Sequence, residues 1–173
     1  PGLNTYLTYG ILPFVEVMFR YTHELNMPVN TSTRYFPDRM FGVRVRILEE
    51  KKLIPALVIG FQDPSSLFGT SEGATNYASS YLVFSKYFNF DFGNFDFTLG
   101  YSQDFFDLRF KDLEGFFGGI SFSPNYFKNV SFLIEHNSKG INTGIRLNIF
   151  SRFNLMIGSW NIDKPTFSFN YIF

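Results

Sequence analysis

Thr166-Phe167-Ser168-Phe169-Asn170-Tyr171-Ile172-Phe173 decides how this chain is read. Taken in twos, Phe167, Phe169, Tyr171 and Phe173 share one face, and Thr166, Ser168, Asn170 and Ile172 share the other. A period of two is the period of a β-strand. One face of this strand is wholly aromatic. Water tolerates such a face only where other protein covers it, whereas hydrocarbon accepts it bare. The stretch is also close to the length of about 9–11 residues with which a tilted strand crosses a bilayer.

Composition agrees with that start. Hydrophobic residues make up 45% of the 173 residues and charged ones 17%, below the roughly 25% of soluble domains. Aromatics reach 21%, with 25 Phe and 10 Tyr, an excess that strands with aromatic girdles accommodate. The formal net charge is zero, so the basic surface that nucleic acid requires is missing. The absence of Cys excludes disulfide frameworks and thiolate metal sites. No run of about eighteen apolar residues occurs, so a chain like this crosses a membrane only as a closed antiparallel barrel.

The period of two recurs along the chain. After a first strand over Asn4–Ile11 and a break at Leu12-Pro13, Val15, Val17, Phe19 and Tyr21 face away from Glu16, Met18, Arg20 and Thr22. Phe41, Val43, Val45 and Ile47 oppose Gly42, Arg44, Arg46 and Leu48, and Leu57, Ile59 and Phe61 oppose Val58, Gly60 and Gln62. Ser79–Tyr87 is apolar on both faces, so its phase stays open. Phe95, Phe97, Leu99 and Tyr101 then oppose Asp96, Thr98 and Gly100. Phe116–Ser123 ends at Pro124, Val130–His136 follows, and Ile145, Leu147 and Ile149 oppose Gly144, Arg146 and Asn148. A strand over Asn154–Asn161 and a break at Asp163-Lys164-Pro165 precede the opening stretch.

Breaks after Ile11, Leu48, Tyr87, Ser123 and Phe150 are short, and those after Leu25, Gln62 and Tyr101 are long. Short turns at one rim and long loops at the other are the asymmetry of membrane barrels. Residues 1–173 are therefore expected to form one all-β domain, an antiparallel transmembrane barrel of about twelve strands, eleven of them visible. The twelfth is expected before Asn4, or a strand boundary is hidden in Ser79–Tyr87, because antiparallel closure takes an even number.

Two resemblances bear on this reading. The aromatic alternation ending in Phe173 resembles the C-terminal assembly signal of Gram-negative outer-membrane β-barrels, with Phe167, Phe169, Tyr171 and Phe173 as the signal residues. A second runs through Phe36-Pro37-Asp38-Arg39, Arg46-Ile47-Leu48-Glu49-Glu50, Pro55-Ala56-Leu57, Gly60-Phe61-Gln62-Asp63, Gly69-Thr70 and Tyr81-Leu82-Val83-Phe84-Ser85-Lys86. It continues through Asp96–Gly100, Gly118-Gly119-Ile120, Ser123-Pro124 and Glu135. These stretches resemble the YjbH family, outer-membrane barrel proteins associated with exopolysaccharide production. The resemblances imply an outer-membrane location with a periplasmic C-terminus. They imply four partners: the lipid bilayer, its lipopolysaccharide, the barrel-assembly machinery during insertion, and a protein partner in an outer-membrane complex. They also imply a non-enzymatic accessory or scaffold role.

Glu16, Arg20, Arg44, Arg46, Asp96, Glu135 and Arg146 are the charges on the non-apolar faces. They are expected either to line an aqueous lumen that selects anionic solutes or sugar acids, or to interlock as ion pairs that fill a narrow barrel, since isolated buried charge is costly. The filled interior is favoured because about twelve strands enclose far less space than the sixteen or more of open porins. His23 and His136 are the neutral-pH bases, and Ser79, Ser80 or Ser138 are the hydroxyls that a hydrolase or acyltransferase at the rim would pair with them. No motif fixes such a pairing, so no catalytic residue, cofactor or metal is assigned.

Overall fold

The computed structural model describes residues 2–24, 38–62, 79–103, 113–150 and 152–172. Eleven strands form one sheet: β1 (Gly2–Leu12), β2 (Val15–Glu24), β3 (Asp38–Leu48), β4 (Ala56–Gln62), β5 (Ser79–Phe90) and β6 (Gly93–Gln103), followed by β7 (Gly115–Pro124), β8 (Val130–His136), β9 (Ile141–Ile149), β10 (Phe153–Trp160) and β11 (Lys164–Tyr171). Each pairs antiparallel with the next, so spatial order equals sequence order. Among the described residues there is no helix. The sheet is not closed: β1 and β11 are its two edges.

Register carries one apolar face through all eleven strands. Leu7 pairs with Phe19, Phe19 with Phe41, Val43 with Phe61 and Ile59 with Leu82. The row continues through Leu82–Tyr101, Phe97–Ile120, Ile120–Ile134, Phe132–Ile145, Ile145–Ile157 and Ile157–Phe167. Most of these side chains are exposed; Phe167 is 68% and Phe169 59% accessible. The sheltered side chains lie mostly on the opposite face: Arg20, Thr22, Met40, Ser79, Tyr81, Ser102, Ser131 and Asn142 are all buried. Ser80 is the exception, buried on the apolar side with its Oγ donating to Gln103 O at 2.9 Å. In a soluble domain, by contrast, rows of large apolar side chains such as these are turned inward.

Strand boundaries differ from the sequence reading where tertiary pairing overrides local pattern. β3 begins at Asp38 rather than Phe41, because Thr22 and Tyr21 of β2 pair with Asp38 and Arg39. β5 extends to Phe90, which pairs with Gly93, so the turn shrinks to Asp91-Phe92. Pro165, expected to break the chain, lies inside β11 opposite Ser159. A residue without an N–H is tolerated there because β11 is an edge strand. The last strand ends at Tyr171, and the register slips at Ile11 and Ile47. Past the second slip Leu48, not Ile47, pairs with Leu57. Of the loops expected over 26–39, 63–77 and 103–114, residues 26–37, 63–77 and 104–112 lie outside the described residues, as do Pro1 and Phe173.

The short-turn rim is braced. Asn125 Nδ2 donates to Phe90 O and Asp91 O, at 3.2 and 2.8 Å, tying the β7–β8 turn to the β5–β6 turn. Phe88, Phe90, Phe92, Phe95, Phe97 and Phe122 gather beside it with ring centroids 4.7–6.4 Å apart. The β3–β4 connection folds against the same rim. Lys86 Nζ donates to Glu50 Oε1 at 2.8 Å and to Lys51 O at 2.6 Å, and Tyr87 N–H reaches Glu50 Oε1 at 3.1 Å. Because β4 stops short of Tyr87, the carboxylate supplies the acceptor that a longer strand would have provided. These bonds, the one from Lys86 first, hold the Glu50 carboxyl below its usual pKa.

Candidate functional site

All seven charges singled out above fall on the sheltered face, since each pairs in register with a residue of that face. They fall into four groups. Glu16 of β2 and Arg44 of β3 are direct cross-strand neighbours and form an ion pair. Arg46, two residues further along β3, donates from a terminal guanidinium nitrogen to Pro13 O at 2.8 Å, while its N–H bonds Phe14 O at 2.8 Å. Both bonds clamp the β1–β2 turn onto β3.

Asp96, between Tyr87 and Ser121, lies within electrostatic reach of Glu50 and of Arg146 on β9. Glu135 accepts from Asn142 Nδ2 at 2.8 Å, and Asn142 Oδ1 in turn accepts the Asn161 N–H at 2.9 Å. That chain anchors the β10–β11 turn and keeps Glu135 at the wall. Arg20, 8% accessible, sits opposite Tyr6 and Met40.

Residues of β1 to β7 converge from the sheltered face on a cavity of about 640 Å³ that contains Glu16, Arg44 and Arg46. The sheet therefore curls with its polar face inside. Two residues not foreseen in the sequence shape this space. Tyr81 lies over Gly60, its cross-strand neighbour, and Phe117 lies over Gly100. A Cβ on either glycine would overlap the ring. The two rings meet edge to face at 5.9 Å and 87°, a favoured geometry for an aromatic pair. The signal was a glycine at an inward position opposite a large inward aromatic. It was unreadable while the phase of β5 was open, because both faces of that strand are apolar.

The histidine and serine candidates are not brought together. His136 lies on the apolar face opposite Gly118 and Ile141, at one side of a depression of about 560 Å³. Ser79 donates to Gln62 Oε1 at 3.2 Å, Ser80 to Gln103 O, and Ser138 accepts from Glu114 N at 3.4 Å. Among the described residues no hydrogen bond joins His136 to any of these serines. The side chain of His23 lies outside the described residues.

The fold defines an all-β class of protein: an all-antiparallel meander with exposed apolar side chains on one face and the charges on the other. Residues 2–106 match the family model described as "Exopolysaccharide biosynthesis protein YbjH", and the chain belongs to this YjbH family. The matched span runs from β1 through β6 and includes Glu16, Arg44, Arg46 and Tyr81 of the cavity. No curated protein matches the chain.

Proposed function

We propose that the chain is an integral outer-membrane β-barrel that serves, without catalysis, as an accessory or scaffold subunit of an envelope assembly for exopolysaccharide export. One observation carries the membrane part: over eleven strands in sequence order, apolar side chains stand exposed on one face of the sheet, and the charges Glu16, Arg20, Arg44, Arg46, Asp96, Glu135 and Arg146 lie on the other. In water such a face is an aggregation surface. In a bilayer it needs no cover, and the strands, of 7 to 12 residues, approach the length a tilted span requires. The phenylalanine cluster at the short-turn rim then belongs to an interfacial girdle, with the short turns and the end of β11 in the periplasm. The assembly role rests on membership of a family described by exopolysaccharide biosynthesis.

Fractionation of Gram-negative cells expressing the chain tests this reading. Recovery in the outer membrane after a carbonate wash, with mobility that shifts on heating, is the expected result. Recovery in aqueous buffer without detergent overturns it. Native pull-downs that return no envelope partner remove the subunit role and leave only the barrel.

A second reading has one observation behind it. The cavity on the sheltered face suits a small-solute channel lined by Arg44 and Arg46. Bilayer recordings decide the matter: the channel reading fails if neither the native chain nor an Arg44→Ala, Arg46→Ala variant gives a conductance step.

A further inference from the structure

We infer that the cavity is a seat for one acidic sugar residue of a polysaccharide, a carboxylate-bearing pyranose held by Arg46 at one side and by the Tyr81–Phe117 rings at the other. The inference rests on the exopolysaccharide reading and names the ligand of that same site. Successive inward positions of β3 supply Arg44 and Arg46, and the inward positions next across the sheet are small: Gly60, Val58 and Val83. Tyr81 folds over Gly60 and Phe117 over Gly100, edge to face with each other. The guanidiniums and the two rings, folded over Gly60 and Gly100, border the same space. The volume of about 640 Å³ lies within the range of roughly 300–1,000 Å³ for small-ligand sites.

Charge selects the guest. Arg44 is balanced by Glu16. Arg46 is tied to a backbone oxygen, and among the described residues it meets no carboxylate. Two guanidiniums against one carboxylate leave the lining with one positive charge in excess. That excess matches a monoanion, and the guanidinium fork, with most of its five donors uncommitted to Pro13, fits a carboxylate in two-point fashion. Inorganic phosphate carries more charge and has no apolar face for the rings. A pyranose has one, formed by its axial C–H groups, and an aromatic ring beside a bound sugar covers it. Gln62, its carbonyl oxygen held by Ser79 Oγ at 3.2 Å, keeps its amide N–H groups to donate to hydroxyls.

Calorimetric titration of the full chain in detergent, with hexuronic-acid oligosaccharides, neutral hexose oligosaccharides of equal length and inorganic phosphate, tests this. The acidic sugar is expected to bind at least tenfold more tightly than the neutral one. Arg46→Gln should lose tenfold or more for the acidic sugar alone, Phe117→Leu should weaken both sugars, and Arg152→Gln, at a turn outside the cavity, should change nothing. A heat-shifted mobility equal to the native chain's confirms that each variant is folded. Equal binding of acidic and neutral sugars, phosphate binding as tight as the acidic sugar, no sugar binding, or indifference to Arg46→Gln overturns the inference. A chain that sits in the outer membrane yet binds no sugar fails this inference alone. A chain recovered in aqueous buffer fails the underlying reading as well.

Discussion

The strands β1–β6 and β7–β11 share one period and one apolar face but differ in what they enclose. The first group holds Glu16, Arg20, Arg44, Arg46 and Asp96, whereas the second holds Glu135, Arg146 and, at the start of β11, Lys164. The sheltered face of the second group is otherwise largely hydroxyl and amide: Ser123 and Ser131 share a hydrogen bond of 2.8 Å, and Asn142 joins Glu135 to the next turn. Connections differ in the same sense. Glu24 and Asp38, Gln62 and Ser79, and Gln103 and Gly115 are far apart in sequence, while residues 137–140 and 161–163 suffice at the same rim in the second group. The wall is thus built by one rule throughout, and chemical variety is concentrated in the first six strands, which are also those the family model covers. Interior and loops, rather than the apolar face, are where such a fold carries function.

The largest expected effect tests whether the two groups share one solvent. Leu99→Arg in β6 and Ile145→Arg in β9 each place a charge on the apolar face. If both groups are membrane-embedded, each substitution costs about 2–4 kcal/mol near the bilayer midplane, read as a lower urea midpoint of the refolded chain. Tolerance at one site and not the other would break the equivalence of the walls.

A smaller effect separates the interiors. Gly60→Ala and Gly100→Ala push a methyl group into the Tyr81 and Phe117 rings, and overpacking of this kind costs about 1–3 kcal/mol. Gly144→Ala, on the sheltered face of β9, meets Ile157 O at 3.4 Å, an ordinary contact, and should leave the urea midpoint almost unchanged. Equal costs at all three positions would erase the contrast.

The smallest effect sharpens the picture of the rim. Glu50 has its carboxyl held below its ordinary pKa by Lys86 and the Tyr87 N–H. A depressed carboxylate stabilises the fold above its unfolded pKa, and the contribution disappears as pH falls through the lowered value. The native urea midpoint should therefore drop below about pH 4.5, the ordinary value for Glu50, relative to that of Glu50→Gln. The two should converge at the acid end. Parallel profiles at every pH would show that the Glu50 brace adds no stability.

The strands were legible because alternation of Val, Ile and Phe with small or charged residues survives in one dimension. Register was less so. Ile11 and Ile47 each insert an extra residue beside a turn, and such a shift exchanges faces beyond it. The phase of β5 came from Leu57 and Ile59 across the sheet, not from its own residues. The cavity was half legible: Arg44 and Arg46 announced themselves by spacing, but Tyr81 and Phe117 belong to strands with a break at 104–114 between them. Glu50 and Lys86, 36 residues apart, meet only because β4 is shorter than β5.

Ten antiparallel pairings separate β1 from β11, so the two edges point the same way. Direction is conserved by any rotation about an axis normal to a membrane, and copies inserted alike therefore offer one another only like-directed edges. An antiparallel seam must be completed by a strand of opposite polarity.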